Sequence, residues 1–484
     1  MKSTLVAVVA VAAVMFCAWL LIDYESYSSL YDASYVGAAK CGECHTQIYP
    51  EWRRSPHANM TRRATVDTVV GNFDNHQWST EEQQYGATPG SDPVARMYRE
   101  GDTHYMALRH PHSGEFVPFP IEYAIGYQYR QVYLTREAGG VLRRLPLQWS
   151  TERDNFFSYW NFQEKSPVTA EDLWSQMGSQ NSAWNLFCAR CHTTKLVVAD
   201  KNDAHTRATT AWVDNGIACE ACHGPGSQHV NYMAGNPVNR VAAWVNSKLR
   251  DQPVAYIANA SKLTKGQAMS VCARCHGSDI FLKSTDIYRL YEPGYSKEGR
   301  INDLSAHFTE GPIPPGRTFP TLEVWDHGVP KGIGMLFRTF IESSCYENAE
   351  PRCYQCHNPH DNKMPAQPGL LAASQPSNDY CLGCHVEEIP DPALHTRHTE
   401  GTAGSFCYDC HMPKNIMVAA TGITRFTRSH NMSSVPDPQA SAIYGADRAP
   451  NACNDCHQDQ SARWSATWMQ QWWPGSVVAV DPDI

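Results

Sequence analysis

The stretch Ile217-Ala218-Cys219-Glu220-Ala221-Cys222-His223-Gly224-Pro225-Gly226-Ser227-Gln228-His229 holds the pattern that organises the whole chain. Its core, C-x-x-C-H, starts at Cys219 and recurs at Cys41, Cys188, Cys272, Cys353, Cys381, Cys407 and Cys453. The second cysteines are Cys44, Cys191, Cys222, Cys275, Cys356, Cys384, Cys410 and Cys456, and the motifs close on His45, His192, His223, His276, His357, His385, His411 and His457. Random placement of these residue types would give roughly 0.03 such motifs in the chain. Two thiols separated by two residues can reach the vinyl groups on one side of a porphyrin, and the next residue, His, then lies beneath the iron as its proximal ligand. The motifs therefore imply eight covalently bound c-type haems. A disulfide framework gives no reason for a His after every second Cys, and structural zinc normally draws its remaining ligands from a second knuckle at longer spacing.

Of 18 cysteines, only Cys17 and Cys345 stand outside the motifs. Cys345 reads as a buried, inert thiol, since nothing near it in sequence marks a lowered pKa. Between Cys188 and His457, seven motifs share 270 residues, too little protein to build a separate apolar core around each cofactor. The expected fold is mainly α with much irregular structure, in which the haems themselves form the core. Short helices carry the motifs, joined by Pro- and Gly-rich loops such as Glu310–Pro320 and Ser374–Asp379, and a last helix spans Gln460–Trp473 before Pro474. The motif intervals of 147, 31, 53, 81, 28, 26 and 46 residues are too uneven for a solenoid. The short ones predict neighbouring haems at the second and third motifs and from the fifth to the seventh.

One segment reads differently. Met97–Arg99 and His104–Arg109 flank Glu100-Gly101-Asp102-Thr103 as a hairpin, and Ile121–Thr135, broken at Gly139-Gly140 before Val141–Trp149, reads as another. The organisation expected is therefore residues 1–22 as anchor or signal, 23–60 as a first haem segment and 61–187 as a small β-rich insertion without haem. Residues 188–460 follow as a seven-haem domain, and 461–484 as a terminal helix and tail.

At the N-terminus, Lys2 precedes an apolar run from Leu5 to Ile22, and Asp23 and Glu25 follow. That charge order points the body of the chain outward, and the run is long enough to cross a bilayer. Phe16-Cys17-Ala18-Trp19 lacks the small-x-small pattern of a cleavage site, so an uncleaved anchor is the first reading and a cleaved signal the second. Charged residues are only 18 % of the chain, as expected where much surface faces porphyrin, and the net charge of −9 leaves no basic footprint for nucleic acid.

Thirteen histidines lie outside the motifs, more than the eight sixth positions require. His57, His229, His360, His398 and His430 lead as axial ligands, followed by His327 and His307, then by His395, His205 and His76. His110 and His112 flank Pro111 and read as turn residues. Met412, directly after His411, reads as packing on the porphyrin rather than as a ligand.

The block C-G-E-C-H-T-Q-I-Y-P-E-W-R-R-S-P-H-A-N-M, from Cys41 to Met60, resembles the haem-and-distal-His signature of the tetrahaem cytochromes of ammonia oxidisers. The later blocks N-L-F-C-A-R-C-H, I-A-C-E-A-C-H-G-P-G-S-Q-H-V, C-Y-Q-C-H-N-P-H, C-Y-D-C-H-M-P and A-P-N-A-C-N-D-C-H resemble larger exported multihaem cytochromes often fused to tetratricopeptide repeats. The resemblance implies that His57, His229, His360, His398 and His430 supply distal ligands.

Three functions fit these residues. The first is an electron carrier between a membrane quinol-linked donor and a periplasmic or outer-membrane cytochrome, held at the membrane by the N-terminal segment. The second is a reductase or oxidase of a small nitrogen or sulfur compound at one open haem. No C-x-x-C-K is present to mark such a site, and Tyr380 and Tyr408 lie near motifs without singling one out. The third is a subunit of a conducting filament. The oligomeric state is not legible in the sequence.

Overall fold

The computed structural model describes residues 2–21, 33–79, 92–151, 153–158, 168–249, 255–276, 325, 328–331, 336–361, 377–417, 426–432, 437–446 and 448–475. His307, His327, the loop Glu310–Pro320 and residues 374–376 lie outside them.

Alternating sequence builds two antiparallel sheets. Strands β1 (Thr61–Arg63), β2 (His76–Trp78), β3 (Ala95–Glu100), β4 (Thr103–Arg109), β5 (Phe116–Pro120), β6 (Tyr123–Ile125), β7 (Arg130–Arg136), β8 (Leu142–Ser150) and β9 (Asn155–Ser158) follow one another in the chain. One sheet has the order β2-β3-β4-β5 and the other β1-β6-β7-β8-β9. Both expected hairpins are present. Glu100 pairs with Thr103 across a two-residue loop, where Gly101 takes φ +58° at no steric cost. β7 and β8 pair with a bulge between Val132 and Leu134.

The two sheets share an apolar core of Trp78, Met97, Met106, Leu108, Tyr133, Leu145, Leu147, Trp149 and Phe156. The Trp78 indole N–H donates to the Phe156 carbonyl at 2.9 Å, so the largest side chain there is buried without an unpaired donor. Leu173 and Met177 join this core from the helix Ala170–Gly178. Thr169 and Asp172 start that helix with a capping box.

β8 is buried along its whole length because both of its faces are covered. Leu145, Leu147 and Trp149 enter the sheet core. Leu142 packs with Val132, Leu134, Trp184 and Ala189, beside Cys188 of the second motif. The sheet thus lies directly against one motif.

The motifs sit on short helices: Ala38–Gly42, Ala189–His192, Cys219–His223, Lys265–His276, Cys353–Cys356, Asp379–His385, Cys407–His411 and Ala452–Cys456. One helical turn brings the two cysteines and the His to one face. The i→i+4 bonds His45 N to Cys41 O (3.0 Å), His357 N to Cys353 O (2.8 Å) and His457 N to Cys453 O (2.9 Å) hold the turn. At the last motif the Asn451 side chain caps the helix, accepting from Cys453 N and Asn454 N.

Apolar clusters among these helices are small, such as Ala258 with Leu263 and Ala268, or Met269 with Ala273 and Phe337. The terminal helix runs Ala462–Trp472 from its cap at Ser461, close to the expected span. Residues Lys2–Leu21 are helical, as the apolar run predicts. Among the described residues no helix is long and apolar enough to cross a membrane.

Candidate functional site

Six motif histidines face a second imidazole. His45 lies 6.3 Å from His229 between ring centres, and His223 lies 6.2 Å from His360. His276 is 6.3 Å from His57, and His357 is 6.0 Å from His430. His411 is 6.4 Å from His395, and His457 is 6.3 Å from His398. An iron between two imidazole nitrogens, each at the roughly 2.0–2.1 Å usual for histidine on a first-row metal and about 1.1 Å from its ring centre, sets the centres about 6.3 Å apart. The residues present therefore fit a six-coordinate iron at six places.

Hydrogen bonds orient several of these rings. A carbonyl can only accept, so His223 donates from Nδ1 to Ala258 O (2.6 Å), His229 to Ala255 O (2.7 Å) and His398 to Thr396 O (2.6 Å). His57 does the same to Pro359 O at 3.3 Å. Each bond fixes the tautomer that leaves Nε2 free for a metal. Burial holds His223, His229, His357, His360 and His395 below the usual imidazole range, and takes His276 and His430 down to about 4. The neutral ring is the form that binds metal.

The five leading candidates from the sequence all take part in these pairs. His395, which the sequence favours less, takes part too. It ends a short helix, Pro392–Thr396, and the next residue, Arg397, adopts φ +60°, so the chain turns and presents His395 and His398 to different motifs. The turn inside H-T-R-H was the signal that spacing alone did not reveal. His205 packs against Phe187 and His76 against Phe156.

Among the described residues, His192 and His385 face no second imidazole. His192 meets the edge of Trp184 at 6.3 Å. Burial and the nearby Arg130 charge hold it down to about 4. Its surroundings come from the sheet: Thr61 Oγ1 donates to His192 O at 2.6 Å, and Arg130 and Arg144 reach Cys188 from β7 and β8.

Thiol contacts order the motifs in space. Cys41 meets Cys219, Cys272 meets Cys353, and Cys381 meets Cys407. Cys356 lies near Cys384, and Cys410 near Cys453 and Cys456. The run from the fifth to the seventh motif is thus contiguous, as the short intervals predict. The second and third motifs are brought together as the short interval predicts: Thr193 and Thr194 pair with Asn215 and Asp214, and Ala218 N donates to Thr194 Oγ1 at 2.8 Å. The third motif also contacts the first. A β-ribbon of residues 197–201 and 208–211 occupies the interval after the second motif, while Asp214 and Glu220 bind the backbone of residues 36–38 and draw the first motif in.

Comparison with known proteins finds likenesses to other multihaem cytochromes. The family described as Cytochrome c554 and c-prime matches residues 40–85 and 148–224, and the doubled CXXCH motif matches residues 347–389. Dissimilatory sulfite reductase MccA of Wolinella succinogenes is 21 % identical over 434 residues, which cover 79 % of this chain and 51 % of that protein. The chain spans about half the length of this curated relative. Among solved structures, outer cell wall cytochrome OcwA is 17 % identical with a TM-score of 0.46, over 91 % of this chain and 87 % of that one. An undecaheme cytochrome from the S-layer of Carboxydothermus ferrireducens is 15 % identical with a TM-score of 0.37, over 93 % and 61 %.

Proposed function

We propose that this multihaem c-type cytochrome is an electron carrier whose eight attachment sites hold haems in a connected series, with the haems as the core of the motif-bearing part. The six imidazole pairs at 6.0–6.4 Å carry the reading. Bound haem supplies reversible one-electron chemistry. His45 with His229, His223 with His360, His276 with His57, His357 with His430, His411 with His395 and His457 with His398 are the proposed axial pairs. His307 and His327 stay candidates opposite His192 and His385. The thiol contacts imply a series in which the first site adjoins the third, and the fourth is followed by the fifth, sixth, seventh and eighth.

In this proposal residues 23–60 carry the first haem, 61–187 form the β-rich insertion, 188–460 hold seven haems, and 461–484 form the terminal helix and tail. The apolar run from Leu5 to Ile22, whose last residue lies outside the described residues, holds the chain on the periplasmic side of the cytoplasmic membrane, or is removed to release it to the periplasm or cell surface. A membrane quinol-linked protein donates, and a periplasmic or outer-membrane cytochrome accepts. The net charge of −9 favours basic partner surfaces.

One observation favours a second reading. His192 faces Trp184 where the paired histidines face an imidazole. An iron held by His192 would keep its sixth position for a small nitrogen or sulfur compound, and the likeness to a sulfite reductase brings a sulfur oxyanion forward. Electron paramagnetic resonance of the oxidised protein separates the two. Conduction alone predicts low-spin haem throughout and no response to added sulfite, nitrite or hydroxylamine. A stoichiometric high-spin signal that moves on their addition would replace it with the second reading.

A further inference from the structure

The carboxylate of Glu220 is buried, with 1 % of the residue exposed, inside the third motif. Val36 N donates to it at 2.9 and 3.1 Å, Gly37 N at 2.8 Å and Gly226 N at 2.7 Å. All of these partners are N–H donors, which match the acceptor oxygens of the side chain. Gly226 has no side chain because the carboxylate occupies that space: a Cβ there would lie 3.2 Å from Glu220 Oε1. Asp214 stands alongside and accepts from Ala38 N at 2.9 Å. The two carboxylates therefore stand beside Cys41 and Cys219, which lie next to each other. The second motif has the opposite surroundings, with Arg144, Arg190 and Arg130 near Cys188.

A fixed negative charge in a poorly solvated site favours the more positive, oxidised state of a neighbouring redox group, and a positive charge favours the reduced state. We propose that Glu220, assisted by Asp214, sets the first and third haems at the low-potential end of the chain. The proposal rests on the electron-carrier reading, because it requires haem at Cys41 and Cys219. Electrons then leave this pair readily, and the arginine-lined second site retains them.

The test is a spectroelectrochemical titration of the full-length holoprotein carrying Glu220→Gln or Asp214→Asn, with haem number checked by mass and ligation by paramagnetic resonance. For Glu220→Gln, with all haems attached and low-spin signals unchanged, two haems should move to higher potential. The expected shift is at least tenfold in the reduced-to-oxidised ratio at fixed potential, about 59 mV for a one-electron couple. Asp214→Asn should move the same two haems by less. Unchanged potentials in both variants, with every haem attached, would overturn the proposal. If Glu220→Gln loses haem, Asp214→Asn alone decides, and no shift there overturns it. Absence of haem at Cys41 or Cys219 in the unaltered protein would instead remove the reading beneath it.

Discussion

Between β1 and β9, large side chains such as Trp78, Tyr133 and Phe156 bury one another completely. Among the described residues from 219 to 473, buried apolar side chains come in small groups, such as Ala258 with Leu263 and Ala268, or Met269 with Ala273 and Phe337. A burial of about 25 cal/mol per Å² cannot offset the ordering of so many residues when the contacts are that few. The first region carries its own core. Among its described residues the second shows no comparable apolar core and carries thiols and imidazoles instead.

The largest effect expected from this contrast follows removal of the cofactor. A full-length chain made without haem attachment should keep residues 61–158 resistant to limited proteolysis while residues 219–473 are cut throughout, as mapped by mass spectrometry. Resistance across both regions would break the contrast. A smaller effect is expected inside the sheets. Trp78→Ala removes the largest fully buried side chain and the bond to Phe156 O, and should cost about 3–5 kcal/mol in urea unfolding followed by far-ultraviolet circular dichroism. The potentials of the fourth to eighth haems should stay in place, and movement of those potentials would join the two regions into one unit.

The smallest effect is a pH dependence confined to the sheets. His104 is buried, 6 % exposed, against Phe73 at 5.2 Å, and burial, with help from Arg99, holds its imidazole below the ordinary value. The unfolded chain therefore takes up the proton first as pH falls. Stability present above about 6.5 is lost as pH drops from there through the folded pKa. His104→Phe should flatten the urea midpoint across that range, and an unaltered slope would place the acid sensitivity elsewhere.

Covalent chemistry was the most legible part of the sequence because its rules are local: a helical turn alone decides whether Cys219, Cys222 and His223 share a face. The hairpin at Gly101 and the terminal helix before Pro474 were legible for the same reason. Which imidazoles face each other is a long-range property, and it was legible only where a His stood in a recognisable block, as His229 does. His395 was ranked low because its placement depends on the left-handed turn at Arg397, which the composition of H-T-R-H does not announce. The contact of the first motif with the third was hidden for a further reason. It depends on Asp214 and on a buried glutamate between two cysteines, a position where the motif itself accepts any residue.

The pairing of His57 with His276 and of His45 with His229 also bears on how the molecule is made. Thioether attachment at Cys41 needs only a pentapeptide, so it can proceed while most of the chain is still unsynthesised. The imidazole facing His45 arrives only when residue 229 has been added, and His57 must wait for residue 276. Contacts of such wide sequence separation form late and slowly. With the axial pairs proposed above, maturation would pass through an intermediate whose early haems are attached but open on one side, and their closure would be coupled to folding of the later chain.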